Sequence, residues 1–220
     1  MITPEEASDF TRSLCLRAPV VPVLVVHDIA TARPLATALI AGGLPVLEVT
    51  LRTPVALSVI REMADVPGGI VGAGTVLSAE DAKQARAAGA QFAVSPGATD
   101  RLLEACEAAD LPLMPGAATA SEAMALLERG YTVQKFFPAE ASGGAAALKA
   151  IGAPLPQILF NPTGGIGPNN ALDYLRLSNV RSVGGSWVAP ADLIEKGDWD
   201  GIRALAAEAA ALHQDRATNH

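Results

Sequence analysis

Short runs of apolar, largely β-branched residues recur along this chain at a nearly constant interval. They are Val20–Val26, Val46–Thr50, Ile70–Val76, Phe92–Pro96, Leu111–Pro115, Val133–Pro138, Ile158–Asn161 and Ser182–Val188. Their starts lie 19 to 26 residues apart. The intervals are rich in Ala and Leu at helical spacing, so each run predicts a strand and each interval a helix. Strands that are apolar on both faces predict a parallel sheet covered on both sides. Eight such units in about 200 residues fit an α/β fold of the (β/α)8 TIM-barrel kind. An open, doubly wound sheet has the same periodicity, but no G-x-G-x-x-G follows the first strand.

Helix signals keep the same beat. Thr3-Pro4-Glu5-Glu6 forms a capping box with proline at the first helical position, which predicts an extra N-terminal helix within residues 1–17. Thr53-Pro54, Ser78-Ala79-Glu80-Asp81 and Thr119-Ala120-Ser121-Glu122 read as further starts, while Gly42-Gly43, Gly89 and Gly130 read as stops. Pro22 and Pro115 fall inside predicted strands, where each removes a ladder donor, so a bulge or a local break in pairing is expected there. Nothing resembling a linker interrupts the pattern. The expectation is one barrel domain over residues 1–220, with 214–220 as a solvated tail.

Composition narrows the function. Half the residues are apolar, 18% are charged and the formal net charge is −7, which excludes intrinsic disorder. The acidic balance offers no basic stripe for phosphates, so no nucleic-acid partner is expected. The longest apolar run, Ala18–Val26, is too short to cross a bilayer, and the acidic first ten residues do not read as a signal peptide. No membrane partner and a cytoplasmic location follow. Cys15 and Cys106 lack paired spacing and read as buried free thiols. His27, His213 and His220 do not cluster with acids or cysteines, so no metal site is readable.

The reactive face of a parallel barrel lies at the carboxyl ends of its strands. Of four lysines, only Lys135 falls within an apolar run. Alternation puts Val133, Lys135 and Phe137 on one face, with Gln134 and Phe136 on the other. An amine kept from water is more readily neutral, and a neutral amine attacks carbonyls to form a Schiff base. The plainer alternative is a lysine that reaches the barrel mouth or pairs with Glu48. Glu48 and Arg52 share a parity on the second strand. A carboxylate there could shuttle protons and a guanidinium could grip a substrate carboxylate, or the two could form a structural ion pair. Thr163-Gly164-Gly165 and Gly184-Gly185-Ser186 fall after the seventh strand and on the eighth, where barrels commonly hold a phosphate, although tight turns also need glycine.

Taken in order, Leu47–Arg52, Val71–Val76, Lys135–Glu140, Asn161–Gly165 and Gly184–Trp187 resemble the motifs of the 2-keto-3-deoxy-6-phosphogluconate aldolase family, from about Pro19 to Asp200. The resemblance implies a class I aldolase, a lyase that needs no cofactor or metal and is commonly a homotrimer. Such enzymes cleave 2-dehydro-3-deoxy-6-phosphogluconate to pyruvate and glyceraldehyde 3-phosphate in the Entner–Doudoroff pathway. Many also cleave 4-hydroxy-2-oxoglutarate to pyruvate and glyoxylate. Carried over by motif, Lys135 is the Schiff-base residue and Glu48 the proton shuttle. Arg52 and Thr75 would hold the pyruvate carboxylate, with Pro96 and Phe137 shaping the pocket. Thr163, Gly164, Gly165, Gly185 and Ser186 would serve the distal hydroxyls and the phosphate.

Gln134, Ala117-Ala118 and His27-Asp28 depart from the family pattern and leave the preferred epimer of the substrate open. Three rivals remain on the residues alone: a dedicated 4-hydroxy-2-oxoglutarate aldolase, a sugar-phosphate isomerase or epimerase, and a non-catalytic phosphate-binding barrel. The isomerase or epimerase has no use for a buried strand lysine, and the binding barrel would tolerate loss of Glu48 with unchanged ligand affinity.

Overall fold

A computed structural model of the protein describes residues 1–217. Helix α1 spans Pro4–Cys15 and is followed by β1 (Val20–Leu24), α2 (Ala32–Ala41), β2 (Val46–Thr50), α3 (Ala56–Ala64) and β3 (Ile70–Gly74). Then come α4 (Ala79–Ala87), β4 (Ala93–Val94), α5 (Asp100–Ala108), β5 (Leu113–Met114), β6 (Gly116–Ala117) and α6 (Ala120–Glu128). The chain ends with β7 (Val133–Phe136), α7 (Gly144–Gly152), β8 (Leu159–Pro162), α8 (Ala171–Leu175), β9 (Val183–Gly185), α9 (Ala191–Lys196) and α10 (Trp199–Ala217).

All strand pairs are parallel. One sheet runs β5-β4-β3-β2-β1-β9 and a second runs β6-β7-β8. Bridges Phe160–Val180 and Thr163–Gly184 join β8 to the β9 edge. The two sheets thereby close into a (β/α)8 barrel, and the open-sheet alternative falls away.

The two strand prolines have separate solutions. Pro115 divides the fifth predicted strand into β5 and β6, so the chain pairs with β4 before the proline and with β7 after it. Its carbonyl accepts from the Lys135 N–H at 2.8 Å. Pro22 stays within β1, opposite Gly185, just before pairing with β2 begins at Val23. A missing donor is tolerated where a strand changes partners.

The capping box of α1 forms in full. The Thr3 N–H donates to Glu6 at 2.8 Å, and the Glu6 N–H donates to Thr3 Oγ1 at 3.2 Å. The helix is shorter than the predicted 1–17 because it stops at Cys15, where the chain turns into β1. Leu14 and Cys15 enter the amino-terminal end of the barrel and pack with Val21, Val46, Phe92, Met114, Val133 and Leu159. The extra helix is a plug. A larger apolar layer lies between the strands and the outer helices.

Ser78 and Thr119 cap α4 and α6 as predicted. Thr53 does not open a helix: its hydroxyl donates to the Val26 carbonyl at 2.8 Å, and α3 starts later, at Ala56. The tail expected at 214–220 begins inside α10, which runs to Ala217, and residues 218–220 lie outside the described residues. Among the described residues, no helix is long and apolar enough to cross a membrane.

Candidate active site

Glu48 and Lys135 point into the carboxyl half of the barrel from strands that are not neighbours. Lys135 Nζ donates to Glu48 Oε1 at 3.2 Å, and the side chains are 7% and 2% exposed. Strand alternation explains both orientations: Val46 and Val133, two residues earlier, lie in the apolar layer beneath. Gln134 turns outward as parity requires. Its amide donates to the carbonyls of Ala123 and Tyr131 at 3.0 and 2.9 Å, against α6 and the loop behind the sheet.

Room for the pair comes from glycine. A Cβ on Gly74 would lie 2.3 Å from Glu48 Oε1, so the carboxylate occupies the space where a β3 side chain would stand. One layer lower, the Phe92 ring lies over Gly72 in the same way, with 2.5 Å to a Cβ there. Lys135 is flanked in register by Gly116 and Asn161. The Phe137 ring centroid lies 5.2 Å from Lys135 Nζ, within reach of a cation–π attraction.

A second buried polar chain lines the same interior. Thr163 Oγ1 donates to Asn161 Oδ1 at 3.3 Å, and Asn161 Nδ2 donates to Ser182 Oγ at 2.7 Å. All three are buried. Gly184 admits Thr163, since a Cβ there would lie 2.1 Å from its hydroxyl.

The remaining predicted residues surround this mouth. Thr75 follows β3 directly, half-buried, and adopts a left-handed backbone (φ 59°), which is uncommon for a β-branched residue. Pro96 follows β4, and its carbonyl packs on Gly116. Gly164 and Gly165 have φ of 106° and 76°, a turn that only glycine adopts freely. Gly185 is buried under the Trp187 ring, and Ser186 is exposed. Arg52 lies two residues beyond β2, exposed, with no hydrogen bond or ion pair to Glu48 or Lys135 among the described contacts. The alternation that would carry Arg52 inward ends at Thr50.

The Gly164–Gly165 turn carries a brace that the sequence alone does not reveal. The Glu140 N–H donates to the Gly164 carbonyl at 3.0 Å, the Glu140 side chain fills the space beside Gly165, and its carboxylate accepts from the Tyr174 hydroxyl. Burial, and then the Glu140 carboxylate it donates to, raise Tyr174 well above the ordinary phenol range, so it remains a donor. The signal was present in the Lys135–Glu140 motif, but its partner lies 34 residues away. Cys106 stands apart from this site, while Cys15 reaches it from below, against Ser182 at the end of the buried polar chain. Burial pushes the Cys15 thiol up to about 11 and the Cys106 thiol up to about 12, which suits inert structural thiols. Among the described residues, no cluster of three or more His, Cys, Asp or Glu is placed to hold a metal.

An amine and a carboxylate in contact, buried at the carboxyl mouth of a (β/α)8 barrel beside glycine turns, define the class: a barrel with the equipment for imine chemistry. The sequence profile described as "Aldolase: KDPG and KHG aldolase" matches residues 11–205, and the chain belongs to this family. It is 57% identical over 196 residues to the 2-dehydro-3-deoxy-phosphogluconate aldolase of Pseudoalteromonas atlantica, covering 89% of this chain and 91% of that protein. The 2-keto-3-deoxy-6-phosphogluconate aldolase of Zymomonas mobilis ZM4, solved with 3-phosphoglycerate, superposes with a TM-score of 0.89 at 50% identity, over 93% of this chain and 97% of that one. The KDPG aldolase of Legionella pneumophila, solved with pyruvate captured as a covalent carbinolamine, gives 0.87 at 44% identity, over 94% and 98%.

Proposed function

We propose that the protein is a class I aldolase that cleaves 2-dehydro-3-deoxy-6-phosphogluconate to pyruvate and glyceraldehyde 3-phosphate. It also cleaves 4-hydroxy-2-oxoglutarate to pyruvate and glyoxylate. The observation that carries this reading is the buried contact between Lys135 Nζ and Glu48. A buried ion pair is a poor stabiliser compared with apolar residues of similar volume, so its place at the mouth calls for a chemical use. The family and the carbinolamine seen in the Legionella enzyme support that use.

In this reading Lys135 adds to the C2 carbonyl of the substrate. Glu48 relays protons to the carbinolamine oxygen, which leaves as water and gives a protonated imine. A base removes the C4 hydroxyl proton, the C3–C4 bond breaks, and its electron pair moves into the imine. The aldehyde departs and a pyruvate enamine remains on Lys135. Glu48 returns a proton to C3, and hydrolysis releases pyruvate and the free amine. The imine nitrogen is the electron sink.

Arg52 and Thr75 are assigned to the pyruvate carboxylate, with Pro96 and Phe137 as pocket walls. Thr163, Gly164, Gly165, Gly185 and Ser186 are assigned to the distal hydroxyls and phosphate, where backbone N–H groups and a hydroxyl suit an anion. The reading includes a homotrimer in the cytoplasm. Sedimentation is expected at three times the 22.5 kDa chain mass.

The deciding experiment is borohydride reduction in the presence of pyruvate, followed by intact mass and peptide mapping. A single adduct on Lys135 is expected. No adduct from folded protein would leave Lys135 as a structural partner of Glu48 and remove the aldolase reading, and an adduct on another lysine would remove the assignment of Lys135.

A further inference from the structure

The end of the barrel opposite the mouth carries a second concave site. Its walls come from the C-terminal end of α7, the segment entering β8 and the segment entering β9, so it lies at the amino ends of the strands. The cavity measures about 780 Å³, within the range of small-molecule sites. Arg12, Lys149, Arg176 and Arg181 all line it, and no Asp or Glu does. These four are a quarter of the 16 Lys and Arg residues of a chain whose net charge is −7. Such a local excess, against the sign of the whole molecule, is what a site for a multivalent anion requires.

The guanidinium groups are also held in place. Arg12, half-buried, donates to Thr132 Oγ1 at 3.1 Å, and Arg181 Nη1 donates to the carbonyls of Ser178 and Val180 at 2.7 and 3.1 Å. These bonds use one nitrogen of each fork and neutralise no charge. Among the described residues Arg12, Lys149 and Arg181 have no carboxylate within ion-pair distance. Arg176 has only the exposed Asp173 at 3.9 Å, an arrangement too open to hold it. Gln157 and Asn179 add neutral hydrogen-bonding groups to the walls. The shape of the wall depends on Gly152, where a Cβ would lie 2.1 Å from Asn179 Nδ2.

We propose that this cavity binds a compact organic polyphosphate, of nucleoside triphosphate size, at a site separate from the catalytic mouth. Arginine forks suit the oxygens of adjacent phosphoryl groups, and four cations match the charge such a chain carries near neutral pH. The proposal stands whether or not the aldolase reading does, because none of these residues belongs to the mouth.

The test is calorimetric titration of the full-length protein with ATP and, separately, with inorganic tripolyphosphate at low ionic strength. Three charge variants are compared: Arg12→Gln/Arg181→Gln, Lys149→Gln/Arg176→Gln, and the remote control Lys83→Gln/Lys196→Gln. Saturable 1:1 binding of ATP is expected. It should weaken about tenfold or more in the first variant, as the loss of charge-assisted hydrogen bonds implies, and severalfold in the second. The control should match the unmodified protein. The second variant alters only exposed side chains, so it decides the matter if the first folds poorly. Hydrogen-exchange protection should appear in 153–159 and 176–181. Binding that is lost with Ser186→Ala and indifferent to the second variant would place the anion at the mouth and overturn the proposal. An equal effect in the control would reduce it to nonspecific charge attraction, and no saturable binding would overturn it outright. Binding of tripolyphosphate equal to that of ATP would show that the phosphate chain alone is read, whereas tighter ATP would assign part of the cavity to the nucleoside.

Discussion

The two halves of the barrel interior use the same strands for opposite purposes. Toward the amino ends, Val21, Val46, Phe92, Val133 and Leu159 meet Leu14 and Cys15 of α1 in an apolar plug. Two residues further along three of these strands, the inward positions are Glu48, Lys135 and Asn161, buried as deeply and polar, while β1 and β4 stay apolar with Val23 and Val94. Strand parity guarantees that both layers point inward, so the contrast lies wholly in side-chain chemistry. Close packing fixes the floor, and the floor fixes where the polar layer sits. Stability should therefore reside in the lower layer and turnover in the upper one.

The widest separation is expected from one substitution in each layer. On the proposed mechanism Lys135→Ala removes the nucleophile, and cleavage should fall at least about 1000-fold. Its denaturation midpoint should fall, because Glu48 is left buried without its partner. Lys135→Met/Glu48→Leu, which replaces the pair with apolar residues of similar volume, should instead leave the midpoint little changed or higher. Steady-state assay and urea titration read both quantities. Near-normal turnover in Lys135→Ala would end the imine mechanism. Phe92→Ala should behave in the opposite way, with a stability loss of about 3 to 5 kcal/mol for a fully buried ring and kcat per folded molecule close to normal at low temperature. If Phe92→Ala instead abolished turnover in folded protein, the division between floor and mouth would be wrong.

Much of this division is legible in the sequence. Parallel strands buried on both faces leave unmistakable apolar runs, and a two-residue period is enough to turn Lys135 inward and Gln134 outward. What could not be read was which residues meet across the barrel. Gly74 looked like part of a motif; its role as the seat of the Glu48 carboxylate depends on the β2–β3 register, Thr50 opposite Gly74. The chain Thr163–Asn161–Ser182 depends likewise on closure between β8 and β9. Thr53-Pro54 misled because the same hydroxyl can cap a helix or bond a distant carbonyl, and here Val26 receives it. Parity along the second strand predicts an inward Arg52, but β2 ends before reaching it.

The Gly74 seat yields an intermediate effect. Gly74 has no left-handed backbone angle to maintain, so Gly74→Ala can keep the strand. Its methyl would displace the Glu48 carboxylate, which lies 2.3 Å from the added carbon. A displacement of about 1 Å at a proton-transferring group costs on the order of 100-fold in rate. The expected outcome is a folded protein whose kcat falls by about that amount while borohydride still traps pyruvate on Lys135, more slowly. Glu48→Gln should resemble it. Unchanged kcat in Gly74→Ala would mean that the position of Glu48 is not limiting.

The smallest effect sharpens the contrast within the mouth itself, between the Lys135–Glu48 end and the end assigned to the phosphate in the proposed function. Glu140 braces the Gly164–Gly165 turn through its own N–H, its packing on Gly165 and the hydroxyl of Tyr174. Tyr174→Phe deletes one hydrogen bond to a carboxylate and leaves the ring packing intact. About 1 kcal/mol is at stake, or roughly fivefold in an equilibrium constant. If the turn holds the phosphate, KM for 2-dehydro-3-deoxy-6-phosphogluconate should rise by about that factor with kcat little changed. KM for 4-hydroxy-2-oxoglutarate, which has no phosphate, should stay where it was. Because the raised pKa of Tyr174 keeps the phenol protonated, the ratio between the two substrates should be flat from pH 6 to pH 9 in the unmodified protein as far as this group is concerned. Equal losses on both substrates would assign Tyr174 to the general architecture of the mouth, and the glycine turn would then need another explanation.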